Sequence, residues 1–184
     1  VRDDLAALEG YHSAQVDVAV RLNTNESPQE PPAAWVESVR DAMASIAWNR
    51  YPDRGARALR EALGAFHEVE PERIFVANGS NEVLQTLLLT FAGPGRTVAT
   101  FEPTYQLHGH IARLTGARTV EGERAQDFGL DLAEVDRVLR EHRPDVTFVC
   151  SPNNPTGGAE SPETVRAVLE QVPGLLVIDE AYGQ

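Results

Sequence analysis

From Ile74 onward the apolar residues of this chain gather in short runs, separated by stretches where they recur every three or four positions. IFVA (74–77), TVATF (97–101), ARTVE (117–121), VTFVC (146–150) and LLVID (175–179) are rich in β-branched and aromatic residues and predict strands. The intervening stretches predict helices at about 80–92, 105–115, 131–142 and 162–171. Continuous apolar strands alternating with amphipathic helices imply parallel strands joined by crossover helices, an α/β fold with ligands at the carboxyl ends of the strands. LLVID is apolar enough to predict a central strand. Local punctuation agrees with these boundaries. Asp131 is placed to cap the helix carrying Leu132, Val135, Val138 and Leu139, Ser161 with Pro162 begins the next helix, and GPG at 93–95 ends the helix before TVATF.

The first 70 residues follow another pattern. NESPQEPP (25–32) is a proline-rich, turn-forming segment; a helix follows with Val36, Val39, Met43 and Ile46 on one face, and after Tyr51-Pro52 a second carries Leu59, Leu63 and Phe66. The expected division is therefore 1–50, an N-terminal arm with helices, and 51–184, the sheet domain.

Composition narrows the function classes. With 42% hydrophobic residues over 184 positions the chain can bury a core, and its net charge of -12 disfavours nucleic acid and anionic membrane surfaces as partners. VLQTLLLTFA (83–92) is too short to span a bilayer, the N-terminus is acidic where a signal peptide is basic, and the single Cys150 can form no internal disulfide. A cytoplasmic location is the expectation. All 16 basic residues are arginine, with no lysine anywhere.

Three strand ends are polar together: NGSNE (78–82), SPNNPTGG (151–158) and DEAY (179–182). In a parallel sheet they open on one edge, where one ligand can touch all three. Gly79 lets a ligand approach the unpaired N-H groups of the following helix, which suits a phosphate; simple capping by Ser80 or Asn81 is the competing reading. Asp179 offers a carboxylate to a protonated ring nitrogen, or acts as a helix cap. Tyr182 is placed to face the same site, and Tyr105, in FEPTYQLHGH, offers a flat face to a ring; core packing is the alternative for both. SPNNPTGG holds Asn153 and Asn154 between prolines, a loop that fixes a side chain's direction. His108 and His110, two apart, point to different sides of a helix, so no metal site is expected and both read as solvated surface. Cys150 reads as a small buried hydrophobe.

Taken in order, LNTNESP (22–28), NRYPD (49–53), NGSNE, EPTYQLH (102–108), CSPNNPTG (150–157) and VIDEAY (177–182) resemble the pyridoxal-phosphate aminotransferases of fold type I, most closely the histidinol-phosphate aminotransferases. The resemblance covers about Tyr11 to Tyr182. It implies a three-layer sandwich with a mostly parallel sheet, the large domain of that fold in incomplete form, preceded by an arm and helices. It implies pyridoxal 5'-phosphate as cofactor, with the phosphate on Gly79, Ser80 and Asn81, and Tyr105 stacked on the ring. Asn154 and Tyr182 would bond the ring's 3-oxygen, Asp179 would pair with the ring nitrogen, and Ala181 would lie against the ring. Tyr51 would reach the phosphate of a neighbouring subunit, which implies a homodimer, and Tyr11 and Asn25 would lie near the substrate.

The resemblance also implies a downstream Schiff-base lysine and later arginines that bind the phosphate and the substrate carboxylate, none of which these residues include. The expectation is an aminotransferase converting histidinol phosphate and 2-oxoglutarate to imidazole acetol phosphate and glutamate in histidine biosynthesis, inactive as this chain alone. Within the class, aromatic amino acid transamination and threonine-phosphate decarboxylation are alternatives. In another class, the chain is a non-catalytic, self-associating product with a vestigial cofactor site.

Overall fold

The computed structural model describes residues 2–6, 16–21, 23 and 26–183. Its α-helices are α1 (Ala33–Ala44), α2 (Arg57–His67), α3 (Ser80–Phe91), α4 (Leu107–Thr115), α5 (Leu132–His142) and α6 (Pro162–Leu169); its strands are β1 (Thr97–Glu102), β2 (Arg118–Glu123), β3 (Val146–Cys150) and β4 (Leu175–Asp179). The chain forms two compact units, one of Val1–Leu8 with Ala77–Gln184 and one of Glu9–Val76.

In the first unit the four strands are all parallel, in the order β2-β1-β3-β4. Alternation along each strand sends side chains to two cores. Val98, Val146 and Phe148 pack with Leu84 and Leu88 of α3 and Leu107, Ile111 and Ala112 of α4. Ala99, Phe101 and Val149 pack on the other face with Val135, Val138 and Leu139 of α5 and Val168 of α6. The result is the three-layer α/β sandwich expected. Because β1 leads outward to β2 while β3 leads the other way to β4, the connections diverge between β1 and β3. That point of divergence, beyond the strand carboxyl ends, is the crevice position in which sheets of this topology hold ligands.

The caps behave as their side-chain chemistry dictates. Asp131 accepts from the Ala133 N-H at 2.9 Å and Ser161 from the Thr164 N-H at 3.1 Å, each satisfying a donor at the start of its helix. At the opposite edge of the sheet Asp145 joins three strands: its carboxylate bonds Arg96 at 2.5 Å and the Thr97 N-H at 2.8 Å, and its carbonyl accepts from the Leu175 N-H at 2.9 Å. The Arg96 bond, helped by the Thr97 N-H, holds the Asp145 carboxyl below its usual range.

Two expectations about strands change. IFVA is not a strand: Ile74 is extended, with φ -107 and ψ 125, but no described strand runs beside the segment to complete a ladder, and Phe75 is 60% exposed. LLVID is an edge strand, bonded only to β3 among the described residues, and Leu176 to Ile178 are half-buried where β3 is wholly buried. Its apolar composition serves the two faces it does cover.

In the second unit, α1 buries none of its residues and α2 only Gly64, although the periodicity of both helices is as expected. Within this unit Asp53 accepts from the Gly55 and Arg57 N-H groups and so starts α2. Arg60 donates from Nε and Nη2 to the Pro71 carbonyl, at 2.9 and 2.6 Å.

Candidate functional site

Gly79 begins the site. It is the N-cap of α3, with φ 81 and ψ 168, a conformation that side chains with a Cβ rarely adopt. No side chain caps the helix there, so the capping alternative for Ser80 and Asn81 gives way: both are the first residues of the helix itself, and both are exposed. A Cβ built on Gly79 would meet nothing within 4 Å, so the space beside this turn is open, and the first N-H groups of the helix suit an anion.

Hydrogen bonds join this turn to the segments that follow β1 and β3. The Tyr105 hydroxyl donates to Asn81 Oδ1 at 3.0 Å, fixing the half-buried ring beside the start of α3. Thr104, the residue before it, donates from Oγ1 to Asn153 Oδ1 at 2.9 Å across the crevice between β1 and β3. The parallel register sets Cys150 opposite Asp179, and the Ser151 N-H donates to the Asp179 carbonyl at 3.0 Å. Four separate segments thus converge, and they include Gly79, Ser80, Asn81, Tyr105, Asn154 and Asp179. Asn154 is partly exposed on its loop; Ala181 and Tyr182 follow Asp179 in a turn, with Tyr182 42% exposed.

Asp179 has the most constrained chemistry. Its Oδ2 lies 2.8 Å from Nε2 of His108, and its Oδ1 accepts from the Ala181 N-H at 3.1 Å. An ionised carboxylate can only accept, so the proton of this pair sits on Nε2. The bond from His108, together with the Ala181 N-H, lowers the Asp179 pKa against the opposing effect of burial. A charged carboxylate is thereby kept at the mouth of the sheet, only 9% exposed.

His108 corrects the sequence reading. It is not solvated surface but fully buried, stacked on Phe148 with centroids 4.4 Å apart and planes 8° apart, and met edge-on by Tyr105 at 5.4 Å. The comparison with His110 missed the relevant spacing: His108 is three and four residues before Ile111 and Ala112, on the buried face of α4. Thr104 was missed, and Asn153 was singled out only as part of its loop and not for the bond to Thr104, since nothing in a residue type says which loop it will meet. Cys150 is buried as expected, and burial raises its pKa, which leaves it a poor nucleophile.

Below the site lies a buried ion pair. Arg124 Nη1 meets Glu160 Oε1 at 2.7 Å, and the same guanidinium donates to the carbonyls of Phe101, Phe128 and Cys150. One cation therefore binds the carbonyls at the ends of β1 and β3 while its charge is matched by Glu160. Of the remaining candidates, Tyr51 belongs to the other compact unit and is 92% exposed, and Tyr11 and Asn25 lie outside the described residues.

A histidinol-phosphate aminotransferase from Frankia casuarinae is 46% identical over 196 residues, covering 100% of this chain and 49% of that protein. A histidinol-phosphate aminotransferase sequence from Mycolicibacterium smegmatis is 44% identical, and the match covers 88% of it. The chain spans about half the length of most of the curated relatives it matches. The crystal structure of histidinol-phosphate aminotransferase from Sinorhizobium meliloti in complex with pyridoxal-5'-phosphate superposes with a TM-score of 0.82 at 26% identity, over 90% of this chain and 45% of that one. Residues 17–184 match the family model of class I and II aminotransferases, and the chain belongs to that family.

Proposed function

We propose that this chain forms the phosphate- and ring-binding side of a pyridoxal 5'-phosphate site in an aminotransferase acting on histidinol phosphate and 2-oxoglutarate. The observation that carries the reading is the buried His108–Asp179 pair, a carboxylate held ionised at the start of the DEAY turn. The residues fit the cofactor. The open N-terminus of α3 at Gly79, Ser80 and Asn81 suits its phosphate, and the Tyr105 ring offers a stacking face. Asn154 and Tyr182 supply donors for the ring oxygen, and Asp179 an acceptor for the ring nitrogen. When bound, the cofactor supplies an electron sink for the bond at the substrate's Cα. The task of Asp179 is to hold a proton on the ring nitrogen, and that of His108 is to keep Asp179 charged and aimed.

The shared name of the relatives favours histidinol phosphate over aromatic amino acids or threonine phosphate. The proposal extends to a cytoplasmic homodimer in which Tyr51 reaches the neighbouring subunit's phosphate. No described helix is long and apolar enough to cross a membrane. The 184 residues contain no lysine, so this chain by itself is expected to hold the cofactor without forming the covalent link the resemblance implies. Equilibrium dialysis against pyridoxal 5'-phosphate, followed by borohydride and mass spectrometry, tests this. Reversible binding with no label except at the terminal amine is expected. No binding at millimolar cofactor, or label on an internal residue, overturns it.

A further inference from the structure

We propose that Thr104 and Asn153 form a positioning clip that sets the ring-stacking Tyr105 and the ring-oxygen donor Asn154 at their working separation. The assignment of those two neighbours rests on the cofactor reading above; the clip itself rests on geometry. Thr104 and Asn153 are 6% and 2% exposed, and each immediately precedes one of the two candidate contacts. Every polar group of the Asn153 side chain is used: Oδ1 accepts from Thr104 Oγ1 at 2.9 Å, and Nδ2 donates to the Pro103 carbonyl at 3.0 Å and to Thr156 Oγ1 at 2.8 Å. Its backbone closes the SPNNPTGG loop, donating to the Gly158 carbonyl and accepting from the Gly157 N-H, both at 2.7 Å.

The sheet does not fix this separation itself. The ladder between β1 and β3 pairs only Val98 with Val146 and Ala99 with Thr147, so the chains beyond their carboxyl ends are free of main-chain pairing to each other. The Arg124 guanidinium ties the carbonyls of Phe101 and Cys150, its backbone N-H that of Glu102, and beyond them the Thr104–Asn153–Pro103 bonds carry the register across the crevice. Tyr105 and Asn154 are each one residue past a clip residue, about 3.8 Å along the chain, so motion at the clip passes to both with little slack. Burial makes the clip stiff, because releasing any of its bonds leaves a buried polar group unpaired.

Thr104→Val removes the hydroxyl at nearly constant volume, Thr104→Ser retains it, and the wild-type chain is the reference. In the ligand-free chain, Thr104→Val is expected to shift the NMR signals of both the Tyr105 ring and the Asn154 side-chain amide, while the methyl signals of Leu88 and Val135 stay in place. Its pyridoxal 5'-phosphate dissociation constant is expected to rise about tenfold, the equivalent of one lost hydrogen bond, and Thr104→Ser to restore most of it. An unmoved Tyr105 or Asn154 signal, or a Ser variant as weak as the Val variant, overturns the clip. If Thr104→Val does not fold, Asn153→Asp keeps the acceptor for Thr104 and loses the donor to Pro103; a Tyr105 signal unmoved in that variant overturns it equally. A wild-type chain that binds no cofactor removes the functional reading, and the ligand-free spectra then decide the clip alone.

Discussion

Removing the Asp179 carboxylate tests the account where its energetics are clearest. In Asp179→Ala, His108, whose side chain has no solvent exposure, loses the acceptor of its Nε2, and its Nδ1 already has no partner in the structure. An unpaired buried polar group costs about 1–3 kcal/mol, and more where a charge was being matched, so a loss of about 2–4 kcal/mol is expected. At a urea m-value of about 2 kcal/mol per M, this moves the unfolding midpoint by about 1–2 M. Urea titration followed by circular dichroism at neutral pH measures it. Replacing both partners, as in Asp179→Ala with His108→Phe, leaves no orphaned imidazole and frees only the Ala181 N-H, so the double variant is expected to lose clearly less than the two single losses summed. The pH dependence has a fixed sign. The folded pKa of Asp179 lies below the ordinary aspartate value, so its stabilising effect is fully present above the unfolded pKa and fades as pH falls through the lower folded one. The gap between wild type and Asp179→Ala should therefore close only in strong acid. A single variant within about 0.5 kcal/mol of wild type, the ordinary range for an exposed site, refutes the reasoning.

Two further outcomes follow from the same physics. Arg124→Met leaves Glu160 buried without its cation, so a loss of about 3–5 kcal/mol is expected in the same titration, while Arg124→Met with Glu160→Met should recover much of it. Gly174→Ala would drive a Cβ into the Asp145 carbonyl oxygen, where β1, β3 and β4 are tied together; a lower melting temperature with intact secondary structure is expected, and an unchanged one would contradict the close packing.

The sequence carried the sheet well, because its signals are local. VTFVC and LLVID form strands over their full predicted extents, and Asp131 and Ser161 cap the helices they were expected to cap. Properties that depend on neighbours were harder to read. An apolar run cannot say whether a partner strand lies beside it, so IFVA passed for a strand although the described residues give it no ladder. The polar ends of VTFVC and LLVID were legible together because parallel strands must open on one edge, whereas NGSNE, which follows no strand, meets them through the Tyr105–Asn81 hydrogen bond. Their connections through His108, Thr104 and Asn153 were not, because each joins residues 49 to 71 positions apart.

The central claim, one cofactor site built from four segments, is tested most directly by titrating the isotopically labelled chain with pyridoxal 5'-phosphate and following its amide spectrum. The amides of Gly79, Ser80 and Asn81 and those around Tyr105, Asn154 and Asp179 should shift together with one dissociation constant. Shifts confined to other residues, or none at saturating cofactor, would contradict it.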